Sequence, residues 1–262
     1  VMNIEYRFQY SALPFLYLWA MHLLHLYDTL PRDLSLVGRA ARLFADYRHV
    51  ALVAAIVSLV VALALSAWMG GLVFLLVTLS TLVGAVYSFG RIPQRLFPRF
   101  RFRHIHEIPG SKDLCVALAW TMMIVIVPSV DARGVSGLGL DNVAPLIWTT
   151  VFVFGLSLVR SLMVDFREIE GDLLLGRETL PIFIGRDPTH RLLTSILAVL
   201  CVAAFVIALS HKPVRHGIVL LAPVAIMATT YWLTYRQKAR SHLAWAFLLD
   251  LPFLVAGPLS LL

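Results

Sequence analysis

Long apolar runs separated by short polar segments dominate the sequence. A helix that crosses the hydrocarbon core of a bilayer needs roughly 20 apolar residues. Eight runs reach or approach this length and are predicted to be membrane-spanning helices: 8–27, 50–69, 71–90, 113–130, 145–164, 192–210, 217–235 and 243–262. Gly70-Gly71 predicts a tight turn between the second and third helices, and Pro128 interrupts the fourth. No soluble domain fits between the runs, so we predict one all-α transmembrane bundle over residues 1–262.

The composition agrees with a polytopic membrane protein. Hydrophobic residues make up 60% of the 262 positions and charged residues only 14%, which lies outside the balance of soluble domains. Cys115 and Cys201 lie in separate apolar runs, which favours packing over a disulfide or a metal pair. The chain starts at Val1 without the pattern of a cleavable signal peptide, so we expect an alternative start or an absent N-terminal piece.

Basic residues collect on one side of the predicted bundle. If every run crosses the membrane once, the segments 28–49, 91–112, 165–191 and 236–242 share a side, and they hold seventeen of the 22 Lys and Arg residues. The positive-inside rule makes this side cytoplasmic, and we predict a bacterial inner membrane. The placement accounts for the net charge of +7 without nucleic acid as a partner.

An acidic stretch follows the fifth run, over residues 165–181 (DFREIEGDLLLGRETLP). Asp165, Glu168 and Asp172 have the spacing i, i+3, i+7, which predicts one shared helical face. Carboxylates on one face repel each other unless a cation lies between them, and Mg²⁺ takes oxygen ligands that it often shares with phosphates. The pattern therefore predicts a Mg²⁺-diphosphate site at the membrane surface. The alternative interpretation is a charged helix end that only stays in water.

Candidate cations for a diphosphate lie on the same side. The 91–112 loop alternates arginines with aromatic residues and prolines, and its Arg95 and Arg99 could bind phosphate or rest on anionic lipid headgroups. Lys112 is a sharper candidate because it stands at the mouth of the fourth run. Tyr87 could point its hydroxyl into the same cavity or lie at the membrane interface.

Polar residues at the end of the first run form a second candidate group. His22 and His25 have the spacing of a zinc pair but lack a third ligand nearby, which favours polar residues at the membrane interface. Asp28 and Asp33 are better candidates for a second acidic cluster facing the first.

Two charges lie inside predicted spans. Asp250 in the last run is an intramembrane acid that we expect to face the bundle interior. Arg160 in the fifth run is expected to neutralise an acid.

These residues carry a resemblance to a known family. Asp165-x-x-Glu168-x-x-x-Asp172, with the following Gly176, Thr179-Leu180-Pro181 and Gly185, resembles the second aspartate-rich motif of the UbiA superfamily of membrane prenyltransferases. Tyr87-Ser88 and Lys112-Asp113-Leu114 resemble the segment between that family's fourth and fifth spans. The family's first motif, N-D-x-x-D-x-x-x-D, is matched only at Asp33, with His25, Leu26 and Thr29 at its earlier positions and Asp28 one residue out of frame. The family has nine spans, so the first would be the one lacking here.

The resemblance implies a function and roles for these residues. It implies Mg²⁺-assisted transfer of a prenyl group from a polyprenyl diphosphate to an aromatic acceptor, as in 4-hydroxybenzoate prenylation, or to another lipophilic acceptor in quinone or related isoprenoid lipid biosynthesis. Mg²⁺ would be held by Asp165, Glu168 and Asp172, with Asp28 and Asp33 opposite. Lys112 would stabilise the departing diphosphate, and the other residues implied to line the diphosphate site or the cavity are Tyr87, Arg95, Arg99, Arg177 and His25.

The incomplete first motif leaves other interpretations open. A divergent subfamily, a truncated gene model, and a catalytically impaired relative that binds isoprenoid lipid or a partner enzyme all fit the sequence. A transporter also places acids in a membrane cavity, but it would favour the midplane over one face. A phosphotransferase of the CDP-alcohol type would need a D-G-x-x-A-R run, which this sequence lacks.

Overall fold

The computed structural model describes residues 7–29, 46–90, 102, 104–134, 140–174, 178–210, 215–235 and 242–259. Long helices account for most of these residues. The helices are α1 (Gln9–Thr29), α2 (Arg48–Met69), α3 (Gly71–Phe89), α4 (Ser111–Thr121), α5 (Val127–Arg133), α6 (Leu140–Leu174), α7 (Leu180–Ile184), α8 (Arg186–Ser210), α9 (Arg215–Tyr235) and α10 (His242–Leu259). The prediction of an all-α bundle is confirmed.

Each of the eight predicted spans falls on helical segments of this set. Within the described residues, five segments are long and apolar enough to cross a membrane: Arg48–Met69, Gly71–Phe89, Ser111–Ala132, Val143–Leu173 and Arg186–Ile207. Apolar side chains point outward along them, such as Val57, Leu82 and Val202, which are more than half exposed. Such a surface is stable only against lipid tails, so the chain is an integral membrane protein.

Pro128 does not end the fourth span, because a wider helical turn precedes it. A proline ring clashes with the carbonyl four residues earlier and removes one hydrogen bond of the helix. That earlier position lies in a π-helical turn, Met122–Ile126, which joins α4 to α5. The wider turn accommodates the ring, and the helical path continues from Ser111 to Arg133.

Two groups of helices form the bundle, each with its own buried cluster. The first cluster contains Leu13, Tyr17, Val77 and Met123 from the N-terminal half of the chain. The second lies among α6, α8, α9 and α10 and includes Leu156, Leu193, Met227 and Leu249. Helix α4 packs on α6 and so joins the two groups.

Helix α6 is longer than its predicted span. The apolar run 145–164 predicts that the span ends at residue 164, and the spacing of the acids beyond it predicts a helical face. The helix continues without a break to Leu174. Phe166 lies in the second buried cluster, and this packing favours continuation of the helix beyond the apolar run. The acidic stretch therefore begins on a rigid helix end that packs against the bundle.

Candidate active site

The site begins where α4 starts. Gly110 adopts a left-handed conformation with φ +78°, and a Cβ at this position would lie 3.4 Å from a Leu180 side-chain carbon. Leu180 belongs to the Thr-Leu-Pro segment, which forms α7 with Pro181 in its first turn. Ser111 Oγ donates a hydrogen bond of 3.0 Å to the Ile105 carbonyl. These contacts fix the direction in which the first turn of α4 leaves the loop.

The first turn of α4 meets the acidic part of α6. Lys112 Nζ forms a salt bridge with Asp165 Oδ1. The next residue, Asp113, accepts a 2.6 Å hydrogen bond at Oδ1 from Ser161 Oγ, one turn before Asp165. The two helices run antiparallel here, because Trp120 further along α4 meets Arg160 earlier in α6. Asp113 and Asp165 are 1% and 2% exposed, so both carboxylates are inside the protein.

This arrangement places more negative than positive charge in a buried volume. The Lys112 ammonium interacts electrostatically with Asp113, Asp165 and Asp172, and all three of these carboxylates are buried. Buried charges are costly unless they are paired. Asp113 Oδ2 is buried and has no hydrogen-bond partner within the described part of the chain. A donor set of carboxylate oxygens with an excess of negative charge fits a hard cation such as Mg²⁺.

The prediction that Asp165, Glu168 and Asp172 share one face is only partly correct. Asp165 and Asp172 are buried, whereas Glu168 is exposed. Each residue turns an α-helix by about 100°, so Glu168 is rotated about 60° from Asp165 while Asp172 is rotated only about 20°. Among the residues that the structure describes, no set of three or more His, Cys, Asp or Glu side chains is arranged to hold a metal ion. The described side chains of Asp165, Glu168 and Asp172 therefore do not converge on one metal position.

Lys112, predicted to stabilise the departing diphosphate, has a carboxylate partner in this structure. Its ammonium is already paired with Asp165, because burial of the carboxylate favours a partner within reach. The Tyr87 hydroxyl lies beside Ser111 and in electrostatic range of Asp113 and Asp165.

The remaining predicted site residues are His25 and five residues whose side chains the structure does not describe. His25 is a half-buried residue of α1. Asp28 belongs to the same helix, but its side chain lies outside the described residues. Asp33, Arg95, Arg99 and Arg177 also lie outside the described residues.

Sequence reasoning did not assign a role to Asp113. Its position could have indicated a role. An acid on the third residue of an apolar helix is stabilised by the helix dipole, but it is costly to bury. The expectation for Arg160 is confirmed, because its Nε donates a 2.6 Å hydrogen bond to Asp250 Oδ1.

The fold and site define an integral membrane helical bundle with a buried carboxylate and lysine cluster at one end of its α4–α6 interface. The family model described as UbiA prenyltransferase family matches residues 47–253, and the chain belongs to this family. The resemblance found in the motifs is thereby confirmed.

Two curated relatives share part of the sequence. Digeranylgeranylglyceryl phosphate synthase from Pyrococcus abyssi is 31% identical over 124 residues, which cover 47% of this chain and 39% of the relative. The synthase of the same name from Methanopyrus kandleri is 37% identical over 76 residues, which cover 29% and 26%. The chain thus matches well under half the length of each relative.

Solved structures share the fold over almost the whole chain. A UbiA homolog from Archaeoglobus fulgidus bound to GPP and Mg²⁺ superposes with a TM-score of 0.63 at 17% identity, covering 99% of this chain and 89% of that one. The same homolog bound to DMAPP and Mg²⁺ gives a TM-score of 0.60 at 16% identity, with the same coverage. At this identity the likeness concerns the fold.

Proposed function

We propose that the protein transfers a prenyl group from a polyprenyl diphosphate to a lipophilic acceptor within the membrane. The observation that carries this proposal is the buried cluster in which Lys112 faces Asp113, Asp165 and Asp172. A diphosphate at an apolar bundle needs both a cationic side chain and carboxylates that can bind a metal ion. Family membership supports the same chemistry, as do the Archaeoglobus structures with Mg²⁺ and prenyl diphosphates.

The cluster gives each residue a role. Asp165 and Asp172 would hold Mg²⁺, because this ion usually takes one or two protein carboxylates and completes its shell with phosphate oxygens and water. Bound there, Mg²⁺ would polarise the diphosphate and offset its developing charge. Lys112 would exchange Asp165 for a diphosphate oxygen and stabilise the leaving group. Ser161 and Asp113 hold the first turn of α4 in place while this exchange occurs.

Residues outside the described ranges complete the proposal. Arg95, Arg99 and Arg177 would add positive charge around the diphosphate, and Asp28 and Asp33 would face the α6 carboxylates. Helix α4 follows the arginine-rich 91–112 segment. This placement supports a cytoplasmic position for the site, in a bacterial inner membrane, under the positive-inside rule.

The acceptor is the least constrained part of the reaction. The names of the curated relatives contain a glyceryl phosphate with two geranylgeranyl groups, which supports an alcohol acceptor. An aromatic acceptor such as 4-hydroxybenzoate, leading to quinones, is the alternative that the sequence motifs imply. Both belong in the same assay.

The test uses the full chain in lipid nanodiscs. Geranyl, geranylgeranyl and dimethylallyl diphosphates are the donors, and geranylgeranylglyceryl phosphate and 4-hydroxybenzoate are the acceptors. We expect transfer that requires Mg²⁺ and stops with EDTA. Asp165→Asn and Asp172→Asn should each lower the rate at least about 100-fold, the scale of a lost electrostatic contact to a transition state. Glu170→Gln, which alters an exposed acid of the same helix, is the matched control and should be unaffected.

A second function is a catalytically impaired protein that binds isoprenoid lipid. Leu26 and Thr29 favour it, because they stand where the resembling first motif has acids. Donor binding that does not depend on Mg²⁺, without transfer to any acceptor of the panel, would favour this function over the enzyme. Full activity of both Asp→Asn variants would instead refute the proposed metal site.

A further inference from the structure

A second polar pair involves α6 more than one helical turn before Asp165. Arg160 of α6 donates from Nε to Asp250 Oδ1 of α10 at 2.6 Å. The Arg160 guanidinium lies 5.6 Å from the centre of the Trp120 ring of α4. The Trp120 ring in turn packs at a tilt against Phe253, with 4.9 Å between ring centroids. Residues of three helices therefore meet around one ion pair.

The position of this pair follows from helix geometry. Arg160 precedes Asp165 by five residues on α6, and Trp120 follows Lys112 by eight residues on α4. At 1.5 Å per residue these separations correspond to about 7 Å and about 12 Å along the helices. Five residues also turn α6 by about 140°, so Arg160 lies on a different side of α6 from Asp165. We place the first carbons of a prenyl chain, with its diphosphate at Lys112, along α4 toward Trp120, which the Arg160 guanidinium approaches.

The ion pair is only partly buried. Helix α10 packs mainly on α9. It also meets α4 and α6 through the Arg160–Asp250 and Trp120–Phe253 pairs and through Trp245, whose ring centre lies 4.6 Å from the Arg167 guanidinium. The side chains of Arg160 and Asp250 are still 25% and 45% exposed. A carboxylate that faced lipid tails would be costly. We therefore assign the exposed side of Asp250 to the space between α10 and the α4–α6 interface, where a ligand can reach Oδ2.

We propose that Asp250 accepts the proton of the acceptor's hydroxyl group and that Arg160 positions its carboxylate. This inference rests on the proposed prenyl transfer and extends it to the acceptor. The acceptor oxygen forms a bond to C1 of the prenyl group, while the bond between C1 and the diphosphate oxygen breaks and its electron pair leaves with the diphosphate. The hydroxyl proton passes to Asp250 Oδ2, so charge and atoms balance.

The chemistry of the surrounding groups suits this step. A hydroxyl oxygen becomes strongly acidic as it bonds to carbon, so a carboxylate within reach is a sufficient base. The rings of Trp120 and Phe253 can offer their π-faces to the positive charge that develops on the allylic carbon. They also keep water away from that carbon.

The test compares two Asp→Asn variants of the full chain in nanodiscs, with geranylgeranyl diphosphate and geranylgeranylglyceryl phosphate as substrates. Asp250→Asn keeps an oxygen for Arg160 but cannot take a proton. Asp131→Asn is the matched control, because Asp131 is also an acid with partners. The Tyr10 hydroxyl donates to it at 2.7 Å, and Arg7 lies 3.6 Å away. Asp131 lies on α5, at the far end of the helical path that begins with α4. Transfer rate, Mg²⁺-dependent donor affinity and melting temperature are measured for each.

We expect Asp250→Asn to slow transfer at least about 100-fold, the scale of a lost general base, with donor affinity within threefold of the wild type. Asp131→Asn should transfer like the wild type. Should Asp250→Asn not fold, Asp250→Glu replaces it, and a tenfold slower transfer at unchanged donor affinity is then expected.

Other outcomes overturn the inference. Transfer by the variant within threefold of the wild type removes Asp250 from the reaction. If Asp250→Asn lowers the transfer rate, the donor affinity and the melting temperature together, the pair is a structural link between α6 and α10. A wild-type chain that binds donor with Mg²⁺ but does not prenylate this alcohol refutes the acceptor assignment alone. A wild-type chain that binds no donor refutes the proposed function itself.

Discussion

Lys112 and Asp165, 53 residues apart in sequence, form a salt bridge between the first turn of α4 and the acidic part of α6. The Asp165 side chain is only 3% exposed, whereas that of Lys112 is 35% exposed. The carboxylate is therefore fixed, while the flexible lysine retains access to the space in front of it. The pair can open on the lysine side when a ligand brings both a metal ion and an anion.

Removal of the lysine charge should separate metal binding from diphosphate binding. In Lys112→Gln, the buried carboxylates lose a competing cation, so Mn²⁺ used as a Mg²⁺ substitute should bind about tenfold more tightly, equivalent to about 1.4 kcal/mol. Diphosphate should bind more weakly because a cationic partner is missing. Electron paramagnetic resonance titration measures the first effect, and donor titration at saturating Mg²⁺ measures the second. Lys112→Arg keeps the charge and is the control; weaker Mn²⁺ binding in Lys112→Gln would contradict this account.

Because Asp172 is buried and Glu168 is exposed, their substitution should have unequal effects on metal affinity. Asp172→Asn should weaken Mn²⁺ binding at least about tenfold, because it removes a buried carboxylate near Lys112. Glu168→Gln should change Mn²⁺ affinity less than threefold, because Glu168 is exposed. The same titration tests both variants. An effect of Glu168→Gln as large as that of Asp172→Asn would mean that the helix end rotates when metal binds.

The hydrogen bond between Ser161 and Asp113 should contribute to stability. Ser161→Ala removes a 2.6 Å bond to a buried carboxylate, and a bond to a charged group contributes about 2 kcal/mol. We expect a lower melting temperature and more frequent opening of the α4–α6 interface in hydrogen exchange. Ser157→Ala, one turn away, is the matched control, because Ser157 Oγ is buried without a hydrogen-bond partner in the described residues. Equal destabilisation by both changes would rule out a specific role for the Ser161 bond.

The close approach of α6 and α8 at Gly155 can be tested with a compensating pair. A Cβ on Gly155 would lie 2.9 Å from Leu200 Cδ2, so Gly155→Val should destabilise the bundle by about 1–3 kcal/mol through overpacking. Leu200→Ala alone should also destabilise it, because Leu200 is buried. The double variant should be more stable than the sum of the single effects predicts, as measured by thermal unfolding in detergent. Strict additivity would show that the two residues do not share this contact.

The helices show how much of the fold the pattern of apolar residues predicts. Within the described residues it located all eight long helical segments, because the cost of unpaired backbone groups in lipid permits only helices for such runs. It placed the end of the fifth span at residue 164, although α6 continues to Leu174. The pattern measures the length of apolar sequence, whereas Phe166 and its neighbours extend the helix by packing on other helices.

Apolar run lengths and local motif spacing are properties of neighbouring residues, so they were enough to predict the fold class, the family and the candidate carboxylates Asp165 and Asp172. Helix packing was needed to show that Asp113 joins these carboxylates, that Lys112 is paired with Asp165, and that Glu168 is exposed. It was also needed to show that Arg160 meets Asp250, 90 residues away, beside Trp120. Such pairs depend on which helices pack together and at what rotation about their axes, and these follow from the packing of many side chains at once.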